Sequence, residues 1–125
     1  MKADNKKILV ADDDAIVRKL LDIFLTYIGY DVHCVNDGEE AMTAIEKDNY
    51  CLLITDYEMP RINGIELTKK ARNLRPSMPI IGMSGLHSCR KEFLTEGASL
   101  FMEKPITLSI LKDAMEKELL LEISD

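Results

Sequence analysis

The sequence predicts an α/β domain, a doubly wound parallel sheet built from five βα units. Two observations carry this. Short apolar runs of strand length alternate along the whole chain with stretches of helical periodicity, the pattern of a parallel sheet covered by helices on both faces. The central run, Cys51–Thr55, sets Leu52, Leu53 and Ile54 side by side, too continuous for a half-exposed strand, so it reads as an inner strand buried on both faces. A strand order of 2-1-3-4-5 is the expected topology at this size. A dinucleotide-binding arrangement is the weaker option, because no G-x-G-x-x-G follows the first run.

The first strand is Lys7–Ala11, followed at once by Asp12, Asp13 and Asp14. From Ala15 the period changes: Ile16, Leu20, Ile23, Phe24 and Tyr27 share one helical face, with Asp14 as N-cap and Gly29 as stop. Asp31–Val35 is the second strand, and Asn36-Asp37-Gly38 opens a helix with Ala41, Met42 and Ile45 inward. The third strand ends on Asp56, and Pro60 with Asn63-Gly64 turns the chain into a helix over 65–74 carrying Leu67, Ala71 and Leu74. Strand four runs over 79–83 to Ser84-Gly85, a short helix spans 88–96 and stops at Gly97, and strand five, 100–103, ends at Lys104-Pro105. Leu108, Leu111, Met115 and Leu119 mark a closing amphipathic helix.

Residues 1–125 are read as one domain, long enough for a real core and too short for two. A formal charge of −6 argues against a broad phosphate-backbone footprint, so nucleic acid is not expected as a direct partner. The polar N-terminus lacks the apolar stretch of a signal peptide, and no apolar run approaches the roughly 20 residues a bilayer span needs. No membrane association is expected. Cys34, Cys51 and Cys89 are odd in number and lack metal-ligand spacing, which suggests neither a disulfide framework nor a zinc site. The expected address is the cytoplasm.

Strand ends carry the chemistry. Asp12 and Asp13 close strand one, Asp56 strand three, Ser84 strand four and Lys104 strand five. In the expected order strands one and three are neighbours, so their carboxylates converge where open α/β sheets place ligands. Clustered carboxylates raise one another's pKa unless a cation neutralises them, and Mg2+ is the fitting ion. A hydroxyl and a lysine facing that metal suit a phosphoryl group. Taken one at a time these residues have ordinary readings: Asp56 a solvated loop acid, Asp14 a cap, Phe101 core, Ser84 a turn residue, Lys104 a solvated charge.

The stretches I-L-V-A-D-D-D at 8–14, T-D-Y-E-M-P-R-I-N-G at 55–64, M-S-G at 83–85 and G-A-S-L-F-M-E-K-P at 97–105 resemble the response-regulator receiver domains of two-component signalling. The resemblance covers essentially the whole chain. It implies that Asp56 accepts a phosphoryl group from a sensor histidine kinase or a histidine phosphotransfer protein. It also implies Mg2+ held by Asp12, Asp13, Asp56 and the backbone carbonyl of Glu58, Lys104 pairing with the phosphoryl oxygens, and a cis Lys104–Pro105 bond. Ser84 would be the switch hydroxyl, and Phe101 the aromatic that turns into the space Ser84 leaves. The surface of helix 4, strand 5 and helix 5 would then change for a downstream partner. No effector domain is read in these residues, so a stand-alone regulator or phosphorelay intermediate is expected, with self-association on phosphorylation as one output.

Ser84 stands where Thr is more frequent in the family, and Gly85 where Ala is. Glu58 and Leu86 flank the approach of a hydrolytic water and are expected to set the lifetime of the phosphoryl group. Two rival readings remain. Asp12-x-Asp14-x-Ile16 resembles the opening of haloacid-dehalogenase-type phosphatases, with Asp12 as nucleophile, but Ile16 departs from that pattern and Asp56 is left unexplained. An interaction module that works without phosphorylation is the other.

Overall fold

The computed structural model describes residues 5–121 and 123. Five strands, β1 (Lys7–Ala11), β2 (Asp31–Val35), β3 (Leu52–Asp56), β4 (Ile80–Ser84) and β5 (Leu100–Glu103), form one sheet. Its order is β2-β1-β3-β4-β5 and every pairing is parallel, as expected. The helices are α1 (Ala15–Tyr27), α2 (Gly38–Lys47), α3 (Gly64–Leu74), α4 (Arg90–Thr95) and α5 (Leu108–Asp113). A 3-10 turn at His87–Cys89 precedes α4, and α5 continues into a π-helical turn over Ala114–Glu118. Strands β3 and β4 each begin one residue later than their apolar runs at 51–55 and 79–83, and Asp56 and Ser84 are their last residues.

The core lies on both sides of the sheet. Leu52, Leu53 and Ile54 are buried, which is what a central parallel strand requires. Alternation along the strands divides the core in two. One cluster joins Leu9, Leu53 and Ile80 to Ile45, Leu67 and Phe93, and so lies under α2, α3 and α4. The other joins Val10, Ile54 and Ile81 to Leu21, Leu25, Leu111 and Met115, under α1 and α5.

Local signals formed the helix ends as read. The Asp14 carboxylate accepts from the Ile16 N–H, and Gly29, just past the end of α1, has φ of 107°, the left-handed region that favours glycine. Asp37 and Asn63 cap α2 and α3 in the same way.

The inward face of α1 is a correction. Ile16, Leu20, Ile23 and Tyr27 are exposed, at 78, 44, 60 and 80%, while Leu21 and Leu25 are the buried pair. Phe24, also assigned to the expected face, is half-buried and packs against the second cluster with Val17. The helix carries two apolar stripes, and packing on β1 and β3 selected one of them. Leu74, expected inward at the end of α3, is likewise exposed. Among the described residues no helix is long and apolar enough to cross a membrane.

Candidate functional site

The register of the sheet assembles the site. Ala11 of β1 lies opposite Thr55 of β3, so the residues that follow, Asp12 and Asp56, emerge side by side at the carboxyl edge. The Asp12 N–H still donates to the Val35 carbonyl at 3.2 Å, which extends β1 by one residue and fixes that carboxylate. Asp12 is fully buried, Asp56 is buried, and Asp13 is exposed at the rim. One carboxylate oxygen from each of the three lies within 4.8 Å of the others. Oxygen donors grouped so closely fit a hard divalent cation of the Mg2+ type.

From the far side β5 delivers Lys104. Its N–H donates to the Ser84 carbonyl at 2.9 Å, and the Lys104–Pro105 bond that follows is cis. The Lys104 ammonium donates to Asp12 Oδ2 at 2.9 Å and lies 3.1 Å from Asp56 Oδ1. Burial and the neighbouring Asp12 charge push the Asp56 carboxyl up to about 6, against the opposing pull of Lys104. Burial works to lower Lys104, but its bonds to Asp12 and Asp56 outweigh that and hold the ammonium above its usual range. Two buried carboxylates thus share one cation, and the cluster can take up further positive charge.

Ser84 is buried at the end of β4, the strand beside β3, and its hydroxyl oxygen accepts from the Leu86 N–H at 2.9 Å. A side chain at Gly85 would meet nothing within 4 Å, so the loop after Ser84 is open there. Phe101 stands apart from the carboxylates, opposite Gly82 in the β4–β5 register and packed against the α2–α4 cluster. Glu58 is exposed in the loop after β3. Asp14, one residue beyond the cluster, faces solvent and caps α1.

Three contributors escaped sequence reasoning. Arg18 on the first turns of α1 donates to the Asp12 carbonyl at 2.7 Å and ties down the segment bearing Asp12 and Asp13. Its signal was an arginine four residues after the capping Asp14, which could have been any surface charge. Gly64 was read as a turn residue only, yet a Cβ there would fall 1.9 Å from the Asp56 carbonyl, so no side chain fits behind the end of β3. Arg61 has φ of 71°, and its guanidinium donates to Asp37 at 2.7 Å with Glu39 at 3.5 Å. Those contacts anchor the loop containing Glu58 to the start of α2, and they offset the cost of a left-handed non-glycine residue.

Comparison with known proteins agrees with this geometry. The sequence profile of the response regulator receiver domain matches residues 8–116. Sensor protein EvgS of Escherichia coli K12 is 41% identical over 107 residues, which is 84% of this chain and 9% of that protein. Sensor histidine kinase RcsC of the same strain is 32% identical, over 90% of this chain and 12% of its own length. The chain therefore spans only about a tenth of these curated relatives. A CheY-like receiver domain protein from Methanospirillum hungatei superposes with a TM-score of 0.86 at 30% identity, over 93% of this chain and 94% of that one. Response regulator TrrA of Thermotoga maritima, solved in complex with Mg2+ and BeF, does so with a TM-score of 0.83 at 32% identity, over 90% of this chain and 97% of its own. This chain belongs to the response regulator receiver domains of two-component systems.

Proposed function

We propose that this domain is a phosphorylation-activated switch whose acceptor is Asp56. The observation that carries the reading is the Asp12–Lys104–Asp56 arrangement, a buried carboxylate held between a second carboxylate and an ammonium at the sheet's carboxyl edge. Asp56, ionised, attacks the phosphorus of a phosphohistidine; a P–O bond forms, the P–N bond breaks, and the imidazole leaves. Asp12, Asp13, Asp56 and the Glu58 carbonyl would hold Mg2+, which supplies charge neutralisation for the incoming phosphoryl oxygens. Lys104 then releases Asp56 and pairs with one of those oxygens, while the Ser84 O–H donates to another. Glu58 and Leu86, both exposed, flank the approach of the water that hydrolyses the acyl phosphate.

The phosphodonor is a sensor histidine kinase or a histidine phosphotransfer protein. Its docking surface is the outer face of α1, where Ile16, Leu20, Ile23 and Tyr27 repeat at the four-three-four spacing that helices use to pack on helices. That face begins at Ile16, three residues beyond the acidic cluster. Output passes through α4, β5 and α5 to a downstream protein or to a second copy of the domain. The three free cysteines accord with a cytoplasmic address. The phosphatase reading needs Asp14 as general acid, and its carboxylate is engaged in capping α1.

Intact mass after incubation with Mg2+ and acetyl phosphate tests the assignment. A single phosphoryl adduct is expected on the wild type, absent from Asp56→Asn and from a chelated sample. An adduct that survives Asp56→Asn but disappears in Asp12→Asn moves the case to the phosphatase reading, and no adduct in any sample leaves the interaction module.

A further inference from the structure

Strand β4 carries a glycine in the middle of the core, and an aromatic ring from α4 fills its place. A Cβ built on Gly82 would fall 2.3 Å from Phe93 Cδ1 and 2.6 Å from Cε1 and Cγ. Phe93 is fully buried, and its ring lies against the strand where a β4 side chain would otherwise stand. Gly82 is also the register partner of Phe101 on β5. The Phe101 ring accordingly leans on Phe93, with centroids 5.7 Å apart, and Tyr57, which follows Asp56, meets Phe93 edge-on at 6.5 Å.

Phe93 is thus the middle of three rings running from the residue after the acceptor to the switch aromatic. Ser84 lies two residues along β4 from Gly82 on the same face of the sheet, so Ser84 and Phe101 are diagonal neighbours across the β4–β5 pair, with Phe93 seated on Gly82 beside Phe101. A ring offers a smooth, rotatable surface at contact distance, whereas a branched β4 side chain would form a fixed wall. Because Phe93 belongs to α4, a displacement of Phe101 across it is also a displacement felt by that helix.

We propose that Phe93 is a positioning residue for the switch: seated on Gly82, it sets where the Phe101 ring rests and couples the turning of Phe101 to α4. The inference rests on the phosphorylation reading above. The chain has three phenylalanines, Phe24, Phe93 and Phe101, so protein labelled with 4-fluorophenylalanine gives three 19F lines, assigned through Phe24→Leu and Phe101→Leu. Mg2+ with beryllofluoride, a stand-in for the bound phosphoryl group, is the probe.

In the wild type the Phe93 and Phe101 lines are expected to shift together on saturation. In Phe93→Leu, and in Gly82→Val/Phe93→Ala, which moves the lost volume onto the strand, the Phe101 shift should fall below half its wild-type size. The acetyl phosphate adduct on Asp56 should persist in both. A residue that only fills space would lower the melting temperature and leave the Phe101 shift intact, and that result overturns the proposal. So does a wild-type Phe93 line that stays still while Phe101 moves, a measurement that needs no core variant to fold. Absence of any adduct on the wild type overturns the phosphorylation reading itself, and the inference with it.

Discussion

The two faces of the sheet are built differently. Under α1 and α5 the packing is predominantly aliphatic, with Val10, Ile54, Ile81, Leu21 and Leu25 closely interlocked. Under α2, α3 and α4 it holds the Phe93–Phe101 ring pair, the Tyr57 edge contact and a glycine where a side chain would be expected. Branched aliphatic residues restrict rotamers and hold a single arrangement, while a ring seated over a glycine presents a smooth face to the tilted ring beside it. The difference teaches where the domain is fixed and where it can change. The acidic cluster is pinned to the ends of β1 and β3, two of the inner strands, and Phe101 sits on the edge strand β5 over the ring-lined face.

The largest expected effects test that contrast directly. Phe93→Ala and Leu21→Ala each empty a fully buried site, one on each face, and should cost roughly 3–5 and 2–5 kcal/mol respectively in chemical denaturation. Equal behaviour of the Phe101 resonance in the two variants would break the comparison. Lys104→Met leaves Asp12 and Asp56 facing each other uncompensated. About 3 kcal/mol should be lost at pH 7.5 without Mg2+, the low end for breaking a buried pair because Lys104 keeps some exposure. Adding Asp56→Asn to Lys104→Met should restore most of it.

The pH dependence of Asp56 has the opposite sign from that of an ion-paired carboxylate. Its folded value of about 6 lies above the ordinary 3.8, so the folded state binds this proton more tightly than the unfolded chain does. The associated stability is present at low pH and lost as pH rises through about 6. Asp56→Asn should therefore stabilise the Mg2+-free protein at pH 7.5 by up to about 3 kcal/mol, an advantage that fades toward pH 4. Melting curves that show no such convergence would refute the assigned environment. Mg2+ affinity of the wild type, followed by titration calorimetry, should weaken below about pH 6 as Asp56 protonates.

The smallest stability effect belongs outside the aliphatic face. Ile16→Ser/Ile23→Ser removes only exposed apolar surface and should change stability by less than about 0.5 kcal/mol per site. Acetyl phosphate labelling should be unaffected, while transfer from a phosphorylated histidine partner slows by about tenfold, the effect of losing contacts at an interface centre. Equal loss with both donors would remove α1 from the docking surface.

Much of this was readable in order along the chain. Asp14 and Asp37 announced helix starts because capping is local chemistry, satisfied within two or three residues, while Asn63, read as a turn residue, also caps α3. The strand-end residues Asp12, Asp56, Ser84 and Lys104 were legible because apolar runs have definite ends and a parallel sheet presents them all at one edge. Boundaries slipped by a residue in β3 and β4, where the apolar run and the hydrogen-bonded ladder do not coincide. Arg18 and Arg61 were invisible because their partners are a backbone carbonyl and a residue 24 positions away.

The sequence by itself determined the alternation of strands and helices, the caps, and the set of polar side chains at the strand ends. All of these follow from periods of two and 3.6 and from contacts between near neighbours. Tertiary structure decided which stripe of α1 turns inward, because a helix with two apolar stripes has no local preference between them. It decided that a glycine on β4 would be filled by a ring from α4. It also closed Lys104 onto Asp12 across 92 positions, an ion pair that exists only once the strand order has brought β1, β3 and β5 to the same edge.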